Sequence, residues 1–195
     1  MLMGFFGNLG TGKTLALTYY LYKYRANKIY SNYRLSFPHT YIENPEDLLN
    51  VSQGYIGLDE LWAWIDSRVS GSRKNRLLGH FLLTSRKRGC HVLYTAQHFK
   101  QIDKRIRNIT DILVFPTYDR QAEELTLELT SQFDNSFRRK FTISARPLFG
   151  LYDTAEEIEY AETFGEKEEL ERSGKGLKRK NIRNARNKRK HRAKN

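Results

Sequence analysis

Along the chain, short unbroken apolar runs alternate with stretches in which apolar residues recur every three or four positions. The first run is Leu2-Met3-Gly4-Phe5-Phe6, and Leu15 to Tyr22 then reads as a helix that ends near Arg25-Ala26-Asn27. Lys28 to Asn32 carries β-branched and aromatic residues between polar turn formers and is expected to be a second strand. Asn44-Pro45-Glu46-Asp47-Leu48-Leu49 has the signature of a short capped helix with proline in its first turn. Gly54 to Leu58 is a further apolar strand, and it runs into Asp59-Glu60.

Leu77, Leu78, Phe81 and Leu82 mark one apolar face of a helix over Arg73 to Arg88, stopped by Gly89. His91 to Gln97 and Asp111 to Phe115 are expected as buried strands, Lys140 to Ser144 as a late strand, and Leu148 to Thr154 as the close of the core. Ala122 to Phe133 fits either a surface helix or a strand, since Leu125, Leu127 and Leu129 alternate with polar residues. Strands alternating with helices imply an α/β fold with a mostly parallel central sheet flanked by helices.

A chain of 195 residues with 39% apolar content suffices for one such core and leaves a tail. Cys90 is the only cysteine, so no disulfide framework forms within the chain. The five histidines lack ligand spacing, and no structural metal is expected. No apolar run is long enough to cross a bilayer, and Gly7 interrupts the first one, so a soluble, cytoplasmic protein is expected.

Net charge is +12 and unevenly placed. Arg172 to Asn195 holds twelve of the 34 Lys and Arg residues and no acid, which leaves 22 basic groups against 22 acidic ones before it. The expected organisation is a core over 1–154, an acidic helix or linker over 155–171 with eight glutamates, and a basic, flexible tail over 172–195. Such a tail suits nonspecific phosphate binding; a solubilising, RNA-binding or targeting tail has the same composition.

Gly7-Asn8-Leu9-Gly10-Thr11-Gly12-Lys13-Thr14 matches G-x-x-x-x-G-K-[ST] between the first strand and the first helix. A chance match in a chain of this length has a probability on the order of one per cent. Backbone N–H groups of such a loop point inward at a phosphate, and the helix N-terminus adds its positive dipole end. Lys13 would reach the β- and γ-phosphates, and the Thr14 hydroxyl is a hard ligand suited to Mg²⁺.

Asp59 and Glu60 follow a strand about 45 residues after Lys13, the spacing of the acidic motif of P-loop ATPases. Asp59 would hold Mg²⁺ through water and Glu60 would polarise the attacking water; an acidic helix cap after a core strand is the plainer reading. Gln97 ends a strand where an open α/β sheet binds its ligand, either sensing the γ-phosphate or simply closing the strand. Arg86, Lys87 and Arg88 suit a helix C-terminus, although that does not explain why three cluster.

The P-loop, Leu58-Asp59-Glu60, Asp66-Ser67-Arg68, Thr84 to Gly89, Tyr94 to Gln97, Asp103 to Arg107 and Tyr152-Asp153-Thr154, in this order, resemble the zonula-occludens-toxin-like ATPases of the FtsK/HerA branch. The resemblance covers about residues 1–154 and extends to filamentous-phage assembly and viral genome-packaging ATPases. It implies a RecA-like core of the ASCE type, hydrolysis of ATP, and a homo-oligomeric ring in which one subunit completes its neighbour's site. It carries over Gly7 to Thr14, Asp59, Glu60, Gln97 as a polar sensor, and Arg88 as the arginine finger, with Arg86, then Arg105 and Arg107, behind it. The phage-assembly members have a membrane-spanning segment after the ATPase domain; here a basic tail follows, which favours DNA packaging over extrusion. Partners would be DNA and a capsid or virion protein.

Two other classes compete. Small-molecule kinases of similar length also begin with a P-loop, but the adjacent Asp59-Glu60 pair favours hydrolysis, and no Asn-Lys-x-Asp element points to guanine. A DNA-binding scaffold with a vestigial ATP site is the third reading.

Overall fold

All five residues of the first strand, β1 (Leu2–Phe6), are buried, as a strand covered on both faces requires. Leu2 and Phe6 face one apolar cluster and Met3 and Phe5 face another, following the two-residue alternation of a strand. The computed structural model describes residues 1–64 and 73–153, without the side chains of 73–75. Asp66-Ser67-Arg68, Thr154, the acidic stretch 155–171 and the basic tail 172–195 lie outside the described residues.

After β1 come helix α1 (Lys13–Lys23) and strands β2 (Ile29–Ser31), β3 (Thr40–Tyr41) and β4 (Gly54–Leu58). Between β3 and β4, Pro45–Asn50 forms a 3-10 helix, and the Asp47 carboxylate accepts from the Asn44 N–H at 2.9 Å. A short helix α2 (Leu61–Trp64), helix α3 (Arg73–Thr84) and strand β5 (Cys90–Ala96) follow. Helix α4 (Lys104–Arg107) then leads to β6 (Ile112–Asp119), β7 (Glu124–Ser131) and β8 (Arg138–Ser144).

These strands form one eight-stranded sheet in the order β3-β2-β4-β5-β1-β6-β7-β8. Pairings from β3 through β6 are parallel, and β6-β7-β8 is an antiparallel meander. Leu15, Leu17 and Leu21 of α1 pack on one face, and Leu78, Phe81 and Leu82 of α3 on the other.

The segment that fits either helix or strand is the strand β7. Leu125, Leu127 and Leu129 are all buried while Glu124 and Glu128 stay exposed, a period of two that a helix would break. Strand β6 runs four residues beyond Phe115. It pairs with β1 only as far as Val114, so Pro116 lies where β7 alone flanks the strand and its missing N–H removes no bond to β1.

Because β1, β2, β4 and β5 are parallel and in register, with Phe6 beside Ala96, Leu58 beside Tyr94 and Ser31 beside Gly57, they end at one edge. The residues that follow them, Gly7, Asn32, Asp59 and Gln97, converge there.

Gly54 starts β4 at φ +119, and a Cβ there would stand 2.4 Å from the Lys28 carbonyl oxygen, which accepts the Tyr55 N–H at 2.9 Å. Neither the backbone conformation nor the space admits a side chain. Gly54→Ala is expected to destabilise the fold by about 1–3 kcal/mol, seen as a lower urea midpoint at unchanged slope. An unshifted midpoint would contradict this packing of β4 against the entry to β2.

Candidate active site

The loop after β1 is anchored at its start, where the Gly7 N–H donates to the Gln97 carbonyl at 3.2 Å. Within it the Asn8 carbonyl accepts from the Thr11 hydroxyl and from Lys13 Nζ, both at 2.9 Å, which holds the ammonium over the loop. Gly12 is the N-cap of α1 in the left-handed region, φ 87, and a Cβ there would lie 2.9 Å from Leu125 Cδ1 and 3.0 Å from Tyr118 Cβ. Only glycine fits. The first helical bond runs from Ala16 N–H to the Gly12 carbonyl at 2.8 Å, so the N–H groups of Lys13, Thr14 and Leu15 precede it at the helix end. Leu9 is 77% exposed at the loop's tip.

Asp59 is the buried centre of the site. Its Oδ1 accepts from Thr95 Oγ1 at 2.6 Å, and Thr14 Oγ1 lies 3.1 and 3.0 Å from its two carboxylate oxygens. Its backbone is clamped by Asn32, whose Oδ1 accepts the Asp59 N–H at 2.7 Å while its Nδ2 donates to the Asp59 carbonyl at 2.9 Å. Thr95 Oγ1 also accepts the Glu60 N–H at 2.8 Å, so one hydroxyl sets the position of both acids.

Glu60 takes up the left-handed conformation, φ 47, at a cost of about 1–2 kcal/mol. This turn redirects the chain from β4 into α2, where the Ala63 N–H reaches the Glu60 carbonyl at 2.8 Å.

Burial sets the titration of all three charged groups. It raises the Asp59 pKa against the opposing hydrogen bonds of Thr95 and Thr14 and the charge of Lys13. It raises the Glu60 pKa, with the Asp59 charge adding to the effect, and lowers that of Lys13, which Asp59 and Glu60 oppose. One buried carboxylate and one adjacent hydroxyl are hard oxygen donors of the type that Mg²⁺ accepts together with phosphate and water. The donor set fits the ion. Among the described residues no three His, Cys, Asp or Glu side chains converge.

Gly7 to Thr14, Asp59, Glu60 and Gln97 are therefore brought together at one edge of the sheet. Arg86 and Arg88 are not. Arg88 precedes β5, so it and Gln97 stand at opposite ends of that strand, about 20 Å apart at strand rise. Its Nη1 donates to the Leu49 carbonyl at 2.8 Å and its guanidinium lies 5.7 Å from the Phe81 ring centroid. Arg86 is paired with Asp111, and Arg105 with Asp103. The Arg107 guanidinium lies 5.7 Å from the Phe99 ring centroid.

Thr95 and Asn32 escaped the sequence reading. The available signal was a threonine two places before Gln97 at the buried end of a strand, and an asparagine closing a strand that ends on the same edge.

No protein-family model matches the chain, and no curated protein does. Its fold resembles the N-terminal domain of zonular occludens toxin from Neisseria meningitidis, with a TM-score of 0.53 at 19% identity, over 78% of this chain and 98% of that one. It also resembles B204, the DNA-packaging ATPase from Sulfolobus turreted icosahedral virus, with a TM-score of 0.50 at 9% identity, over 71% and 95%. B204 of Sulfolobus turreted icosahedral virus 2, solved with ATP-gammaS, gives 0.51 at 8% identity, over 71% and 95%.

The raised Asp59 pKa has a signed consequence. As pH falls from neutral, folded Asp59 takes up its proton before the unfolded chain does, so its charge costs stability at neutral pH and that cost fades on acidification. In nucleotide-free protein, Asp59→Asn should melt above wild type at pH 7, with the gap narrowing towards the ordinary carboxylate range. A gap that widens on acidification would contradict the burial assigned to Asp59.

Proposed function

We propose that the chain is an ATP-hydrolysing motor that moves DNA, with a RecA-like core of the ASCE type in the FtsK/HerA branch, acting as a viral genome-packaging ATPase. The observation that carries this reading is the meeting of the phosphate loop with the buried Asp59–Thr14 pair and with Glu60 at one sheet edge. The insertion of β5 between β1 and β4 supports it, because the end of β5 then falls between the loop and the acids. The likeness of fold to a DNA-packaging ATPase supports it as well.

In this reading the loop N–H groups and Lys13 bind the triphosphate, and Thr14 and Asp59 hold Mg²⁺. The ion, when bound, neutralises charge on the β- and γ-phosphate oxygens. Glu60 orients a water for in-line attack and accepts its proton, a task that its raised pKa suits because a base works best with a pKa near the operating pH. Gln97 positions that water against the γ-phosphate. Its carbonyl already ties β5 to the loop, so a change at the phosphate would be felt along β5.

Arg88 is the candidate arginine finger. Since it stands about 20 Å from its own loop along β5, it would act on the neighbouring subunit of a homo-oligomeric ring. The tail over 172–195 would bind DNA phosphates nonspecifically, together with the ring interior, and a capsid or virion protein would dock the ring.

Steady-state phosphate release by the full chain, with and without DNA, tests the assignment. Lys13→Ala is expected to lose nucleotide binding, while Glu60→Gln keeps ATP and hydrolyses it about 10² more slowly or worse. Mixing Glu60→Gln with Arg88→Ala should restore part of the activity, through interfaces that combine an intact Glu60 with an intact Arg88. Wild-type rates in Glu60→Gln would refute the hydrolytic site, and near-normal rates in Arg88→Ala would remove that arginine from it.

A further inference from the structure

The groups suited to the γ end of a nucleotide all lie on one side of the loop. Asp59, Glu60 and Gln97 follow β4 and β5, and in the sheet both strands lie on the same side of β1. Strands β6 and β7 lie on the other. A triphosphate with its γ end at Asp59 and its length along the loop therefore carries the remainder of the nucleotide towards β6.

An aromatic pair stands there. Tyr118, one residue before the end of β6, packs against the loop so closely that Gly12 has no room for a side chain, its ideal Cβ falling 3.0 Å from Tyr118 Cβ. Phe149, which follows the turn at Arg146–Leu148, meets Tyr118 edge to face with ring centroids 6.3 Å apart and planes at 83°. Tyr118 is half-buried, whereas Phe149 is 47% exposed, an apolar ring presented to solvent. Tyr152 lies within electrostatic reach of Tyr118, its hydroxyl pushed up to about 12 by burial, with the charges of Asp59 and Tyr118 adding.

We propose that Phe149, braced by Tyr118, is the nucleobase subsite of the loop, with the purine stacking on the exposed Phe149 face while the triphosphate lies along Gly7 to Thr14. The proposal rests on the reading of that loop as a nucleotide site. The edge-to-face contact with Tyr118 braces the Phe149 ring, and a braced ring costs a stacking base less order than a free side chain would. Every base offers a π face, so the subsite favours nucleotides over bare polyphosphate and separates adenine from guanine weakly.

Calorimetric titration of the full chain with ATP, GTP and inorganic tripolyphosphate, each with Mg²⁺, tests it. Wild type should bind both nucleotides more tightly than tripolyphosphate. Phe149→Ala, at an exposed position where folding is not at stake, should weaken ATP and GTP alike by about tenfold and leave tripolyphosphate unchanged. Phe149→Trp should retain nucleotide affinity. Undiminished ATP binding by Phe149→Ala would overturn the subsite, and so would an equal loss for tripolyphosphate. Wild type that binds tripolyphosphate as tightly as ATP would overturn the subsite alone. Wild type that binds none of the three would overturn the loop reading and the subsite with it.

Discussion

A carboxylate taken out of water must be surrounded by donors or give up its charge, and the site depends on how Asp59 meets that condition. Thr95 and Thr14 supply hydroxyls to its oxygens, Asn32 holds its backbone from both sides, and Lys13 supplies positive potential. Burial still prevails in the balance, and the carboxyl is held above its usual range. That residual cost is what a divalent cation would remove, so the strained electrostatics of the free site and its capacity for a metal have one cause.

The sheet order makes this possible. Thr14 comes from α1, Asn32 from the end of β2, Asp59 from the end of β4 and Thr95 from β5, four segments far apart in sequence. They meet because β2, β4, β5 and β1 run parallel and stop at one edge, and because β5 lies between the loop strand and the acid strand. Two apolar layers fix that arrangement, α1 on one face and α3 on the other, so the positions of the polar groups follow from packing remote from them.

The parts of the site legible in the sequence are those written locally. Gly7 to Thr14 needs particular residues at consecutive positions, and Asp59-Glu60 at a strand end needs only an apolar run before it. Thr95 and Asn32 stood at telling places near strand ends, but their roles depend on which strands become neighbours, a non-local outcome no spacing along the chain encodes. The β-meander was half legible: Leu125, Leu127 and Leu129 showed the two-residue period, but the apolar run ends at Phe115, four residues short of the end of β6, whose last residues are held by pairing with β7. The clustered cations of Arg86 to Arg88 were visible, and their place before the strand that ends at Gln97 already set them at its far end; their partners, Asp111 for Arg86 and the Leu49 carbonyl for Arg88, followed only from the fold.

The central claim, that Asp59 and Thr14 form half of a divalent-ion site completed by nucleotide phosphates, is tested most directly by electron paramagnetic resonance of Mn²⁺ titrated into the full chain. With a nonhydrolysable ATP analogue present, the account predicts a single tightly held ion per chain, weakened by Asp59→Asn and by Thr14→Ala. Without nucleotide the ion should stay largely free. Equal Mn²⁺ binding with and without the analogue, or binding indifferent to Asp59→Asn, would contradict it.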